Sequence, residues 1–163
     1  MKKVMFLLAT VLIGGMMLTG CKKNPTPEPT PDPEPTPTTC IIEYQVSNTN
    51  GNLTLSPCFK LSMTYVNANG EEVTEENVTL PWSKQIEVTS PFHAKMSGTF
   101  SYDETELPET DLVFGCRRGI GIYKNGAISI TMDGIIGKYT KENFLHVIAE
   151  HPDRLHFTAE QDF

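Results

Sequence analysis

"FKLSMTY", residues 59–65, sets Phe59, Leu61, Met63 and Tyr65 on one side of an extended chain and Lys60, Ser62 and Thr64 on the other. Side chains of a strand alternate between its two faces, so this period of two describes a strand with one buried face. "NANG", residues 67–70, follows as a turn ending in Gly70. Working outward, the same alternation recurs on both sides. "IIEYQVS" (41–47) aligns Ile42, Tyr44 and Val46, and "FHAKMSGTF" (92–100) aligns Phe92, Ala94, Met96, Gly98 and Phe100. "KQIEVTS" (84–90) is a further strand, stopped by Pro91. "LVFGCRRGIGIY" (112–123) reads as one long strand bent at its glycines, and "KNG" (124–126) turns it back into "AISITM" (127–132). The glutamate-rich stretch from residue 71 to Val78 and "DETELPETD" (103–111) read as polar loops.

A single segment has helical character. In "TKENFLHVIAEH" (140–151), Thr140 is placed to cap, Glu142 suits the first turn, and Phe144, Leu145 and Ile148 make an apolar stripe. Pro152 stops it, and "RLHFT" (154–158) adds a last edge strand. About seven short strands with frequent turns and one late helix predict a mainly β chain, a β-sandwich with a short C-terminal helix. Its expected core is Leu61, Met63, Tyr65, Ile86, Val88, Met96, Phe100, Ile120 and Ile122.

Residues 40–163 are long enough for one domain with its own core, and they contain no internal repeat. Ahead of them lie two segments of a different kind. Residues 1–20 open with Lys2 and Lys3, continue in the apolar run "VMFLLATVLIGGMML", and end just before Cys21, the pattern of a secretory signal. "LTGC", Leu18 to Cys21, resembles the lipobox of bacterial lipoproteins, which implies cleavage before Cys21 and lipid on its new N-terminus. Residues 21–39 then hold the lipidated cysteine and a linker of alternating prolines. Such a chain lacks backbone donors and favours polyproline II; at about 3.1 Å per residue it extends roughly 50 Å.

Thirteen Lys and Arg stand against twenty Asp and Glu, a formal charge of −7, and Lys2 and Lys3 precede Cys21, which leaves −9 from there on. That acidic balance argues against nucleic acid as a partner and provides no polybasic membrane patch. The expected membrane contact is the lipid on Cys21. Cys40, Cys58 and Cys116 remain in a disulfide-permissive setting; three thiols allow at most one intramolecular bridge, with all three pairings and the fully reduced state open.

"LPWSK", residues 80–84, holds the one tryptophan. Pro81 biases Leu80 toward an extended conformation and removes a ladder donor, so the segment fits a strand entry or sheet edge. Trp82, fixed just after it, reads first as a core or corner anchor whose N–H reaches a backbone carbonyl, and second as a stacking platform for a ligand. Together with Tyr44-Gln45-Val46, Met63-Thr64-Tyr65, Gly70, and Ile120-x-Ile122 leading to Asn125-Gly126, the element Leu80-Pro81-Trp82-Ser83 resembles the extracytoplasmic domain of MmpS-type proteins over roughly residues 41–130. The resemblance implies a transthyretin-like or immunoglobulin-like sandwich and accessory service to an envelope transporter. The lipobox and proline stalk depart from that family's N-terminal transmembrane helix, and the chain adds a tail from Thr140 onward. With its lipobox and stalk it resembles the small surface or periplasmic lipoproteins of Bacteroides-type bacteria.

Candidate chemistry is sparse. His146, His151 and His156 lie with Glu150 and Asp153 around the helix end, and imidazoles with a carboxylate can hold zinc, but Pro152 interrupts the spacing. The acidic loops lack the spaced pattern of a calcium site. No CxxC, GxSxG or GxGxxG motif occurs. Cys116 sits in a strand with no motif marking a base, and reads as a buried or paired thiol. Arg117 and Arg118, with the 102–111 loop and secondarily Trp82, are the candidate contact residues, because loops on a rigid sandwich usually carry recognition. The expectation is therefore a non-catalytic binding or accessory lipoprotein of the outer membrane, without cofactor or metal, with an envelope transporter or other envelope protein as partner; Lys22 and Lys23 after the anchor favour the periplasmic side slightly over the cell surface. The alternative is a small metal-dependent or hydrolytic enzyme built on the His146–His156 region.

Overall fold

The structure, a computed structural model, describes residues 37–124 and 126–163, which form one compact unit. The expected signal segment, the expected lipidation site Cys21, all but the end of the proline linker, and Asn125 of the expected hairpin turn lie outside the described residues.

The unit is an antiparallel β-sandwich. Its strands are β1 (Thr39–Ser47), β2 (Thr49–Asn50), β3 (Leu53–Thr54), β4 (Phe59–Val66), β5 (Glu72–Glu75), β6 (Trp82–Thr89), β7 (His93–Tyr102), β8 (Leu112–Gly115), β9 (Arg117–Lys124), β10 (Ala127–Ile130), β11 (Ile136–Tyr139) and β12 (His156–Asp162). One four-stranded sheet runs in the order β10-β9-β1-β6 and the other in the order β12-β7-β4-β5, while β8 with β11 and β2 with β3 form small pairs. The strand count exceeds the expected seven because short segments pair at the margins; the glutamate-rich stretch read as a loop supplies edge strand β5.

Alternation sets the core. Facing β1, Ile42 pairs with Ile86 and Ile122, Tyr44 with Ile120, and Val46 with Trp82, which stacks their side chains on the inner face of the first sheet. On the second, Leu61 pairs with Phe100 and Tyr65 with Met96. Seven of the nine expected core residues are buried, and Ile86, on edge strand β6, and Ile122, on β9, are half-buried. Tyr44 donates its hydroxyl to the Val66 carbonyl at 2.7 Å, and burial pushes its pKa up to about 12. A fully buried hydroxyl needs such a partner.

"LVFGCRRGIGIY" does not stay one strand. β8 pairs with β11 and β9 pairs with β1, so the chain changes sheets at Cys116. Gly115, at φ +117°, makes the corner, a conformation closed to side-chain-bearing residues without strain. The helix α1 (Lys141–Glu150) begins as expected, with Thr140 Oγ1 accepting from Asn143 N at 3.2 Å. Its fully buried Phe144 meets Phe59, Phe114 and Tyr102 at ring-centroid distances of 5.3, 5.1 and 5.2 Å, which closes one end of the sandwich with an aromatic cluster. Beyond the helix, β12 adds to the edge of β7 and sets Phe157 opposite Gly98. A Cβ on Gly98 would stand 2.2 Å from the Phe157 ring, so the glycine makes room for the aromatic across from it.

Candidate functional site

Trp82 opens β6 with 8% of its surface exposed. Its ring lies 5.7 Å from that of Tyr65 in the opposite sheet. The indole N–H does not reach a backbone carbonyl; it donates to Glu75 Oε2 at 3.0 Å. Lys84 Nζ and the Tyr65 hydroxyl donate to the other oxygen of the same carboxylate, at 2.9 and 3.2 Å. Trp82 and Lys84 are two apart on β6 and share its inner face, and Glu75 ends edge strand β5 of the opposite sheet, so the cluster ties the two sheets together at one margin. The hydrogen bond from Lys84 and then that from Trp82 hold the Glu75 carboxyl below its ordinary range. A hollow of about 320 Å³, bordered by Gln45, Pro81 and Met132, touches the exposed edge of the indole.

The two arginines part company. Neighbours along a strand point to opposite faces. Arg118 is paired with Val46 and continues the inner-face column of Ile120 and Ile122, whereas Arg117 is paired with Ser47. Arg117 donates from Nη2 to the Met132 carbonyl at 3.0 Å and so secures the chain that returns from β10. Arg118 lines a cleft of about 410 Å³ at the margin of the sandwich. Its guanidinium lies over the Phe157 ring, 5.6 Å from the centroid.

Phe100, Phe114, Cys116 and Phe157, all buried, close the base of this cleft. Arg154 and His156, from the turn and strand after α1, line it as well, and Ile135 stands at the mouth with 83% of its surface exposed. Backbone geometry holds the wall. Arg118 and Asp133 exchange both of their backbone hydrogen bonds at 2.7 Å. Gly134, at φ +120°, lies so close to this segment that a Cβ there would stand 2.3 Å from the Cys116 carbonyl. The acidic residue of the lining, Asp133, turns its Oδ1 to the Gly134 N–H at 2.8 Å. Among the described residues neither Arg118 nor Arg154 takes part in an ion pair. The Cys116 thiol at the base is pushed up to about 12 by burial, which keeps it protonated and a poor nucleophile.

The other sequence candidates lie elsewhere or apart. His146 Nε2 faces Glu150 at 3.6 Å on exposed helix surface, and His156 Nδ1 is bonded to Thr99 Oγ1 at 3.0 Å. Among the described residues no group of three His, Cys, Asp or Glu side chains could hold a metal. Cys40, Cys58 and Cys116 are all free thiols. In the 102–111 loop, Leu107 is buried as an anchor, Asp103 caps a turn of 3-10 helix at Glu104–Glu106, and Glu109 and Asp111 pair with Lys141 and Lys138. Sequence reading missed Arg154, Ile135 and Glu75. Arg154, expected to open the last edge strand, lies instead in a 3-10 turn at Pro152–Leu155, Ile135 comes from an irregular segment with no period to place it, and Glu75 lies in a stretch that reads as a solvated loop.

Among the described residues no helix is long and apolar enough to cross a membrane. No family model matches the chain, and comparison with curated proteins finds no match.

Proposed function

We propose that the chain is a non-catalytic binding or accessory lipoprotein of the bacterial cell envelope. It is held at the outer membrane through lipid on Cys21, faces the periplasm, and serves an envelope transporter or another envelope protein. The cleft around Arg118 is the observation that carries the reading. Its cationic groups are guanidinium ions, which bind and orient and do not exchange protons near neutral pH. Its thiol is held protonated, and its histidine is bonded to a threonine hydroxyl. Recognition is the chemistry such groups support. The lipobox and the proline stalk add to the reading, since a stiff spacer sets a small domain at a distance from the bilayer, where it can meet a second envelope component. The transporter role rests on the resemblance to MmpS-type domains in the Trp82 segment and the strands around it.

Crosslinking in cells, followed by purification of the full chain through its lipid anchor, tests the proposal. A reproducible envelope partner is the expected result. Absence of any partner, together with stoichiometric zinc and a hydrolytic activity that EDTA removes with it, would reverse the reading in favour of an enzyme.

A further inference from the structure

We infer that the Arg118 cleft is a binding site for a small organic anion, one oxyanion head on a compact aromatic or aliphatic body. The inference rests on the binding-module reading above and names the ligand class for it. Charge comes first. The chain is strongly acidic, with a formal charge of −7, yet Arg118 and Arg154 meet in one cleft, and neither is matched by a carboxylate among the described residues. Asp133 is turned aside to its own loop. A guanidinium presents a planar fork of donors that fits a carboxylate or phosphate, and that of Arg118 is already positioned by the ring beneath it. Shape comes second. At about 410 Å³ the cleft falls in the size range of small-molecule sites. Its base is three phenylalanine rings, and Ile135 gives the mouth an apolar lip that nothing else in the described residues covers. A purely inorganic anion would leave that apolar surface unused.

The test is calorimetric titration of the full chain in lipid nanodiscs, with empty nanodiscs as blank, using 4-phenylbutyrate, octanoate, phenyl phosphate, acetate and 4-phenylbutan-1-ol. One-to-one binding is expected for the first three, at least tenfold tighter than for acetate or for the neutral alcohol. The preference between phenylbutyrate and phenyl phosphate identifies the head. Arg118→Gln is expected to weaken binding by about tenfold and Arg154→Gln by less, while the charge-matched control Lys60→Gln leaves it unchanged. If Arg118→Gln lowers the melting temperature, Arg154→Gln, on the exposed turn, carries the comparison. Failure of all three amphiphilic anions to bind, equal affinity for the alcohol, or wild-type affinity in both arginine variants would overturn the inference. A partner captured by crosslinking would still stand in each of those cases, so the two claims fail separately.

Discussion

Glu75 gathers donors from Trp82, Lys84 and Tyr65, and so joins the margins of two sheets through one carboxylate. Trp82→Ala removes a large buried ring and one of those donors, and is expected to cost about 3–5 kcal/mol in denaturant unfolding. An unchanged unfolding midpoint combined with lost ligand binding would instead make the indole a recognition platform. The carboxylate adds a pH dependence. Because Lys84 and Trp82 hold Glu75 below its ordinary range, the folded state binds that proton less readily than the unfolded one. The stabilisation is fully present above the unfolded glutamate value of about 4.3 and is lost as pH falls through the lowered folded value. Glu75→Gln should therefore lose less melting temperature than the parent chain between about pH 5 and pH 3. An acid slope identical in the two proteins would contradict this role.

At the scale of elements, regular alternation was readable and its interruptions were not. Phe59 to Tyr65 and Phe92 to Phe100 announce their buried faces through period two, and the structure pairs Leu61 with Phe100 as that pattern requires. The cap, stripe and stop of α1 were equally local signals, and the helix forms where they place it. The break at Cys116 was invisible because it depends on which distant strand each half finds: β11 for Leu112–Gly115 and β1 for Arg117–Lys124. The cleft was half legible. Arg118 shares the parity of Ile120 and Ile122, so its inward aspect follows from the strand, but Arg154 and Ile135 reach it from turns. The pairing of β12 with β7 is equally non-local, and it gives the element-scale prediction. Gly98→Ala would drive a Cβ into the Phe157 ring, and overpacking of this kind costs about 1–3 kcal/mol. Because that ring lies under Arg118, the same change should also weaken anion binding. A Gly98→Ala chain with parental stability would show that β12 shifts freely on its neighbour.

The whole molecule is proposed to combine three parts with separate tasks: a lipid anchor at Cys21, a polyproline spacer, and a sandwich whose margin carries the cleft. Several acyl chains on one cysteine hold a protein to a bilayer far more firmly than one. Cys21→Ala is accordingly expected to move the protein out of the membrane fraction, and continued membrane association of that variant would remove the anchor from the scheme. Among the described residues, large hydrophobic side chains are exposed at two places, Ile135 at the mouth of the cleft and Ile41 on the first sheet. They offer an internal comparison for the claim that the cleft is the contact site. A photoreactive residue placed at position 135 in one strain and at position 41 in another, each in the lipid-anchored chain, would be activated in living cells. The expected result is an adduct from position 135 that Arg118→Gln abolishes, with little or none from position 41. Adducts from position 41 alone, or adducts from position 135 that persist unchanged in Arg118→Gln, would contradict it.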